Sequence, residues 1–93
     1  MIVGVLRLEL SLPGSASLKD KRRVLQSLLD RLHQQFNVAA AEIDHQDDRR
    51  RAEIAVSCVS NEGTHANRIL SRVLAVVERE ADVVLTGVEM ELR

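Results

Sequence analysis

Apolar residues in this chain repeat first every two positions and then about every 3.6, and the whole cycle runs through twice. Few folds accept that succession. Residues 2 to 12 alternate: Ile2, Leu6, Leu8, Leu10 and Leu12 fall on one face, and Val3, Val5, Arg7 and Glu9 on the other. This is a strand with one buried face. "LPGSAS" holds the only proline and a glycine and turns the chain. Ser17 is placed to cap a helix, with Asp20 three residues on. From there to about Phe36, Leu18, Val24, Leu25, Leu28, Leu29, Leu32 and Phe36 form one apolar arc.

"NVAAAEID" reads as a second strand of ambiguous period, which admits a bulge. "HQDDRR" is its turn, and "RAEIAVSCVS" is a third strand pointing Ala52, Ile54, Val56 and Cys58 one way. A second helix begins at "NEG", capped by Ser60 or Asn61, with Ala66, Ile69, Leu70, Val73, Leu74, Val76 and Val77 on one arc. "DVVLTGVEMELR" is the last strand. The order β-α-β-β-α-β is the ferredoxin-like arrangement of the α+β class. Two helices with one apolar face each cover one side of a four-stranded antiparallel sheet, expected in the order 4-1-3-2. Ninety-three residues make a single domain, 1–93.

Composition narrows the function classes. A net charge of −1 removes a global basic field, so nucleic acid must be held by a local patch. Phe36 is the only aromatic residue, so base stacking has no platform. One cysteine, Cys58, forms no internal disulfide, and the charged start "MIVGVLRLEL" is neither a signal segment nor a membrane span. A cytoplasmic location without membrane attachment is expected.

The local patch is visible in "SLKDKRR". Lys19, Lys21, Arg22 and Arg23 crowd the first two turns of a helix, where the backbone already carries positive charge. In the expected topology the hairpin "HQDDRRR" lies at the same end, adding Arg49, Arg50 and Arg51. Free N–H groups of the first helical turn point the same way. Seven cations and a helix start can hold phosphate. The competing reading is a solvated surface on which Asp20, Glu42, Asp44, Asp47 and Asp48 neutralise the cations pairwise. Lys21 falls within the apolar arc and therefore requires a partner, either Glu42 or Asp44 in a structural ion pair or a ligand phosphate.

No catalytic or metal-binding pattern stands out. Glu42 and Asp44, two apart on a strand, share a face and are the only candidate acid pair, with His45 and Asp47 nearby, but no metal spacing is met. A ligand-binding or enzymatic use of that pair is the third reading. Neither a catalytic residue nor a cofactor is assigned. His33, His45 and His65 do not converge, and Cys58 sits among core residues. The open side of the sheet is expected to carry Val3, Val5, Ala55, Val59 and Leu85 toward one end, and Arg7, Glu9, Glu42, Arg51 and Glu53 toward the other. The apolar part fits a partner, most simply a second copy forming a homodimer.

"SLKDKRRVLQSLLDRL", "FNVAAAEIDHQD" and "RAEIAVSCVSNE" together resemble the YlxP-like family, a bacterial family without assigned function, over nearly the whole chain. The resemblance implies a small ferredoxin-like fold. The family's genes often lie beside those of a translation initiation factor and a ribosome-binding factor, which implies a role near the ribosome with ribosomal RNA or a ribosome-associated protein as partner. The recurring positions are Ser17, Leu18, Lys19, Lys21, Arg22, Glu42, Asp44, Gln46 and Asp47. Where relatives often carry an apolar or aromatic hairpin residue, this chain has Asp48 and Arg49, which favours phosphate over stacking.

Overall fold

The computed structural model describes residues 1–93. Its elements are β1 (Ile2–Ser11), α1 (Leu18–Gln35), β2 (Ala39–Asp44), β3 (Arg51–Ser60), α2 (Gly63–Glu78) and β4 (Val84–Leu92). The sheet order is β2-β3-β1-β4, all neighbours antiparallel, as expected for this succession of elements. The even positions of β1 from Leu6 to Leu10, with Leu12 just beyond, are buried against the helices, as are Ala52, Ile54, Val56 and Cys58 of β3. From the helices, Leu25, Leu28, Leu32, Ala66, Leu70, Val73 and Val77 close this core. Truncating a leucine here, such as Leu8→Ala, costs about 2–5 kcal/mol.

Gly4 lets α2 approach the sheet: a Cβ at that position would lie 2.9 Å from Leu70 Cδ1 and 3.2 Å from Cys58 Sγ. α1 starts as its sequence indicates. Ser17 Oγ accepts from Asp20 N (3.1 Å), and Asp20 Oδ2 accepts from Ala16 N (3.1 Å). α2 starts later than expected, with Glu62 as an N-cap that makes no side-chain bond. Ser60 Oγ instead accepts from Glu62 N just ahead of it.

Two bulges correct the reading of faces. In β2, Glu42 pairs with Ile54 but Asp44 pairs with Glu53, so Ile43 is an extra residue. Glu42 therefore faces the helices and Asp44 the open side, and the two do not share a face. In β4, Leu10 pairs with Leu85 and Glu9 with Gly87, so Thr86 is extra. The bulge keeps Val83 and Leu85 on the same side as Val88, Met90 and Leu92, although their spacing in sequence is out of phase. Leu85 packs on the core rather than on the open face.

Candidate functional site

The end of the molecule that gathers the β1–α1 loop, the start of α1 and the β2–β3 hairpin is the candidate site, and Lys21 organises it. Its place in the apolar arc of α1 points the side chain between the helix and the hairpin, where it is wholly buried. Lys21 Nζ donates to the carbonyl oxygens of His45 (2.6 Å), Asp48 (2.6 Å) and Arg51 (2.8 Å). An ammonium has three N–H groups, and all three are used. Glu42 Oε2 lies 2.9 Å from Nζ and supplies the counter-charge; no hydrogen bond reaches that buried oxygen. Lys21 thus holds both flanks of the hairpin to α1 through its backbone.

His45 has φ 63°, the left-handed region, which costs an L-residue about 1–2 kcal/mol. Its carbonyl accepts from both Lys21 Nζ and Asp48 N, while Asp44 Oδ1 accepts from His45 N at 2.7 Å. The turn is held in this conformation by partners on both sides of the peptide.

The sequence-predicted residues therefore divide. Lys21 is removed from the phosphate-binding set: it is inaccessible and its donors are occupied. Glu42 is its structural ion-pair partner, as expected. Asp44 is not, because the bulge turns it away and its carboxylate bonds backbone instead. Lys19, Arg22, Arg23, Arg49, Arg50 and Arg51 are exposed and gathered at this end. None of them forms a salt bridge; the five in the molecule lie elsewhere or belong to Lys21. Arg50 Nε donates to Ser15 O (3.3 Å), and Arg51 lies 3.4 Å from His45 Nε2.

The acids at this end answer to the backbone. Asp20 caps α1, Asp44 bonds His45 N, and Asp48 Oδ1 accepts from Arg50 N at 2.9 Å. The hydrogen bond from Arg50 N, helped by the charges of Arg51 and Lys21, holds the Asp48 carboxyl below its ordinary value. The start of α1 is less open to an anion than its sequence implies, because Ser17 and Asp20 occupy it.

The open sheet face is arranged differently. Arg7 reaches Glu53 (3.3 Å) and Glu89 (3.5 Å), and Glu9 stands opposite Glu53. Val3, Val5 and Ala55 are half-buried there, and Val59 is 68% exposed. Glu42 is absent from this face. No helix is long and apolar enough to cross a membrane. Sequence reasoning missed the three carbonyls that hold Lys21, since every residue has one and only the fold selects which converge. The apolar position of Lys21 was the available signal that something must.

The strand order and one-sided helices define a ferredoxin-like α+β domain. Solved structures bear this out at the level of the fold. The de novo designed protein Foldit4 superposes with a TM-score of 0.56 over 100% of this chain and 97% of its own, at 12% identity. A designed ferredoxin-fold protein, LFR1 1, gives 0.55 over 100% and 86%, also at 12% identity. A mutant of SnoaB, a cofactor-independent oxygenase from Streptomyces nogalater, gives 0.53 over 99% and 90%, again at 12% identity.

Residues 3–90 match the family model of a protein of unknown function, DUF503, and the chain belongs to that family. It is 34% identical over 77 residues to the uncharacterized protein YlxP of Bacillus subtilis (strain 168), covering 83% of this chain and 84% of that one.

Proposed function

We propose that this chain is a non-enzymatic cytoplasmic module that grips RNA phosphates near the ribosome, using Lys19, Arg22, Arg23, Arg49, Arg50 and Arg51. One observation carries the reading: these six exposed cations share one end of the molecule, and none is neutralised by a carboxylate in contact. Unpaired guanidinium groups present forked donors that match phosphate oxygens. Lys21 contributes indirectly, by fixing the hairpin that carries three of them. Phosphate contacts position a protein without reading sequence, which suits a domain with one aromatic residue and no stacking surface.

The association with the ribosome is what the family's gene neighbourhood implies. The absence of enzymatic activity rests on the dispersal of the candidate groups: Glu42 is committed to Lys21, and Asp44 faces the other way.

The test is co-sedimentation with ribosomal subunits across a salt series, with a short single-stranded RNA as an isolated probe. Wild type binds at low salt, and Arg22→Glu/Arg23→Glu binds more weakly, with the slope of log affinity against log salt reduced by about 1 to 2. Both chains must show the same circular dichroism. Equal binding by the folded variant, or none by wild type at low salt, refutes the reading.

A further inference from the structure

The sheet ends at β4, and nothing covers its outer edge. Arg93 and Val3 exchange both backbone hydrogen bonds (2.8 and 2.9 Å). In an antiparallel ladder such pairs alternate, so Glu91, Glu89 and Gly87 also turn their N–H and C=O inward to β1. Leu92, Met90 and Val88 turn theirs outward, with no partner in the molecule. Their side chains are the exposed apolar ones of the strand: Val88 46%, Met90 38% and Leu92 44%. They lie on the helix side of the sheet, opposite Leu8, Leu6 and Gly4, where the helices leave them only partly covered. β2, the other edge strand, is shorter at six residues against nine, and a bulge at Ile43 breaks it. Bulges and short length are the usual protections of an edge. The last five residues of β4 have neither.

We propose that the outer edge of β4 pairs antiparallel with the same edge of a second copy, about a two-fold axis at Glu91, joining the two sheets into one. The unmet groups at Met90 and Leu92 are backbone donors and acceptors, which another strand satisfies together; Val88, opposite no residue in this register, stays outside the pairing. The edge is also complementary to itself. With the axis at Glu91, Met90 bonds Leu92 of the partner subunit, so the apolar side chains meet each other. On the opposite side Glu89 faces the partner's Arg93 and Arg93 faces the partner's Glu89, two opposite-charge pairs flanking the one like pair, Glu91 with the partner's Glu91, whose charge Arg93 of its own chain screens at 3.0 Å. A register centred on Met90 instead sets Glu89 against Glu91 of the partner subunit twice, with no opposite-charge pair to offset them, which like charges disfavour. The pairing leaves the open sheet face and the basic end of each copy free. It stands independently of the RNA reading.

The arrangement predicts twice the 10.4 kDa chain mass in analytical ultracentrifugation. Met90→Lys/Leu92→Lys returns the mass to one chain with unchanged circular dichroism, while Val3→Glu, on the open face, leaves the dimer intact. Glu91→Cys tests the axis. It places two thiols across a non-hydrogen-bonded pair, about 4.5 Å apart between Cα atoms, a separation that accepts a disulfide. Mild oxidation then converts this variant to a covalent dimer, and Glu89→Cys is not converted. A wild-type monomer at every concentration overturns the proposal. So does a dimer that the edge variant preserves and Val3→Glu dissolves, or one that Glu91→Cys fails to cross-link.

Discussion

The hairpin end and the open sheet face both mix acids with cations and use them in opposite ways. On the sheet face, Arg7 is held between Glu53 and Glu89, and the acids outnumber it. At the hairpin end Asp20, Asp44 and Asp48 bond backbone N–H groups, the one buried cation bonds backbone carbonyls beside Glu42, and the exposed cations are left without carboxylate partners. A count of charges gives the sign that prevails on each surface but not how much of it is free. What separates them is whether each charged group meets another side chain or the main chain, and hence how much charge is free to meet a ligand.

The sharpest way to break that contrast is to remove its centre. Lys21→Met strands three carbonyls and the Glu42 carboxylate, so a loss of about 3–5 kcal/mol is expected in urea unfolding, a large share of a total of about 5–15 kcal/mol for a domain. Arg22→Ala, one residue along, stays within about 0.5 kcal/mol. Equal effects of the two substitutions contradict the structural role given to Lys21.

On the sheet face, Arg7→Ala leaves Glu53, whose side chain is largely buried, beside Glu9 with no cation in contact. A cost of about 1–3 kcal/mol is expected, smaller than at Lys21 because Glu53 keeps some access to water. An unchanged urea midpoint would mean that the face is fully solvated.

Two smaller effects sharpen the account of the hairpin. The Asp48 carboxyl titrates lower in the folded chain than its ordinary 3.8. Its contribution is therefore complete above that pH and is lost as pH falls through the folded value. Asp48→Asn flattens the acid limb of stability below about pH 4 by lowering the neutral plateau slightly. At His45, glycine accepts the left-handed backbone without the side-chain penalty but is more flexible when unfolded. His45→Gly is expected to change stability by about 1 kcal/mol or less, whereas His45→Val, which cannot adopt that conformation easily, loses about 1–2 kcal/mol in thermal unfolding.

What was legible in the sequence was periodic or local. The alternation in residues 2–12, the two apolar arcs and the Ser17–Asp20 capping pair led to the element order and the one-sided helices, because a period fixes which face is buried whatever the remainder of the chain does; the sheet order came from the arrangement usual for that element order. The gathering of Lys19, Arg22 and Arg23 with Arg49, Arg50 and Arg51 followed from topology. So did the need of Lys21 for a partner, since a cation in an apolar arc cannot stay unpaired.

Only the tertiary structure decided who that partner was. The carbonyls of His45, Asp48 and Arg51 converge on one ammonium because α1 docks against a turn of one particular shape, and a carbonyl leaves no mark in a sequence. The bulge at Thr86 was likewise beyond reach, and the one in β2, which its ambiguous period admitted, could not be placed at Ile43, since each is set by the strand opposite. They separated Glu42 from Asp44, moved Leu85 into the core, and kept Val88, Met90 and Leu92 in line at an uncovered edge. A sequence states which residues have a buried face. The register between strands states what each of them meets there.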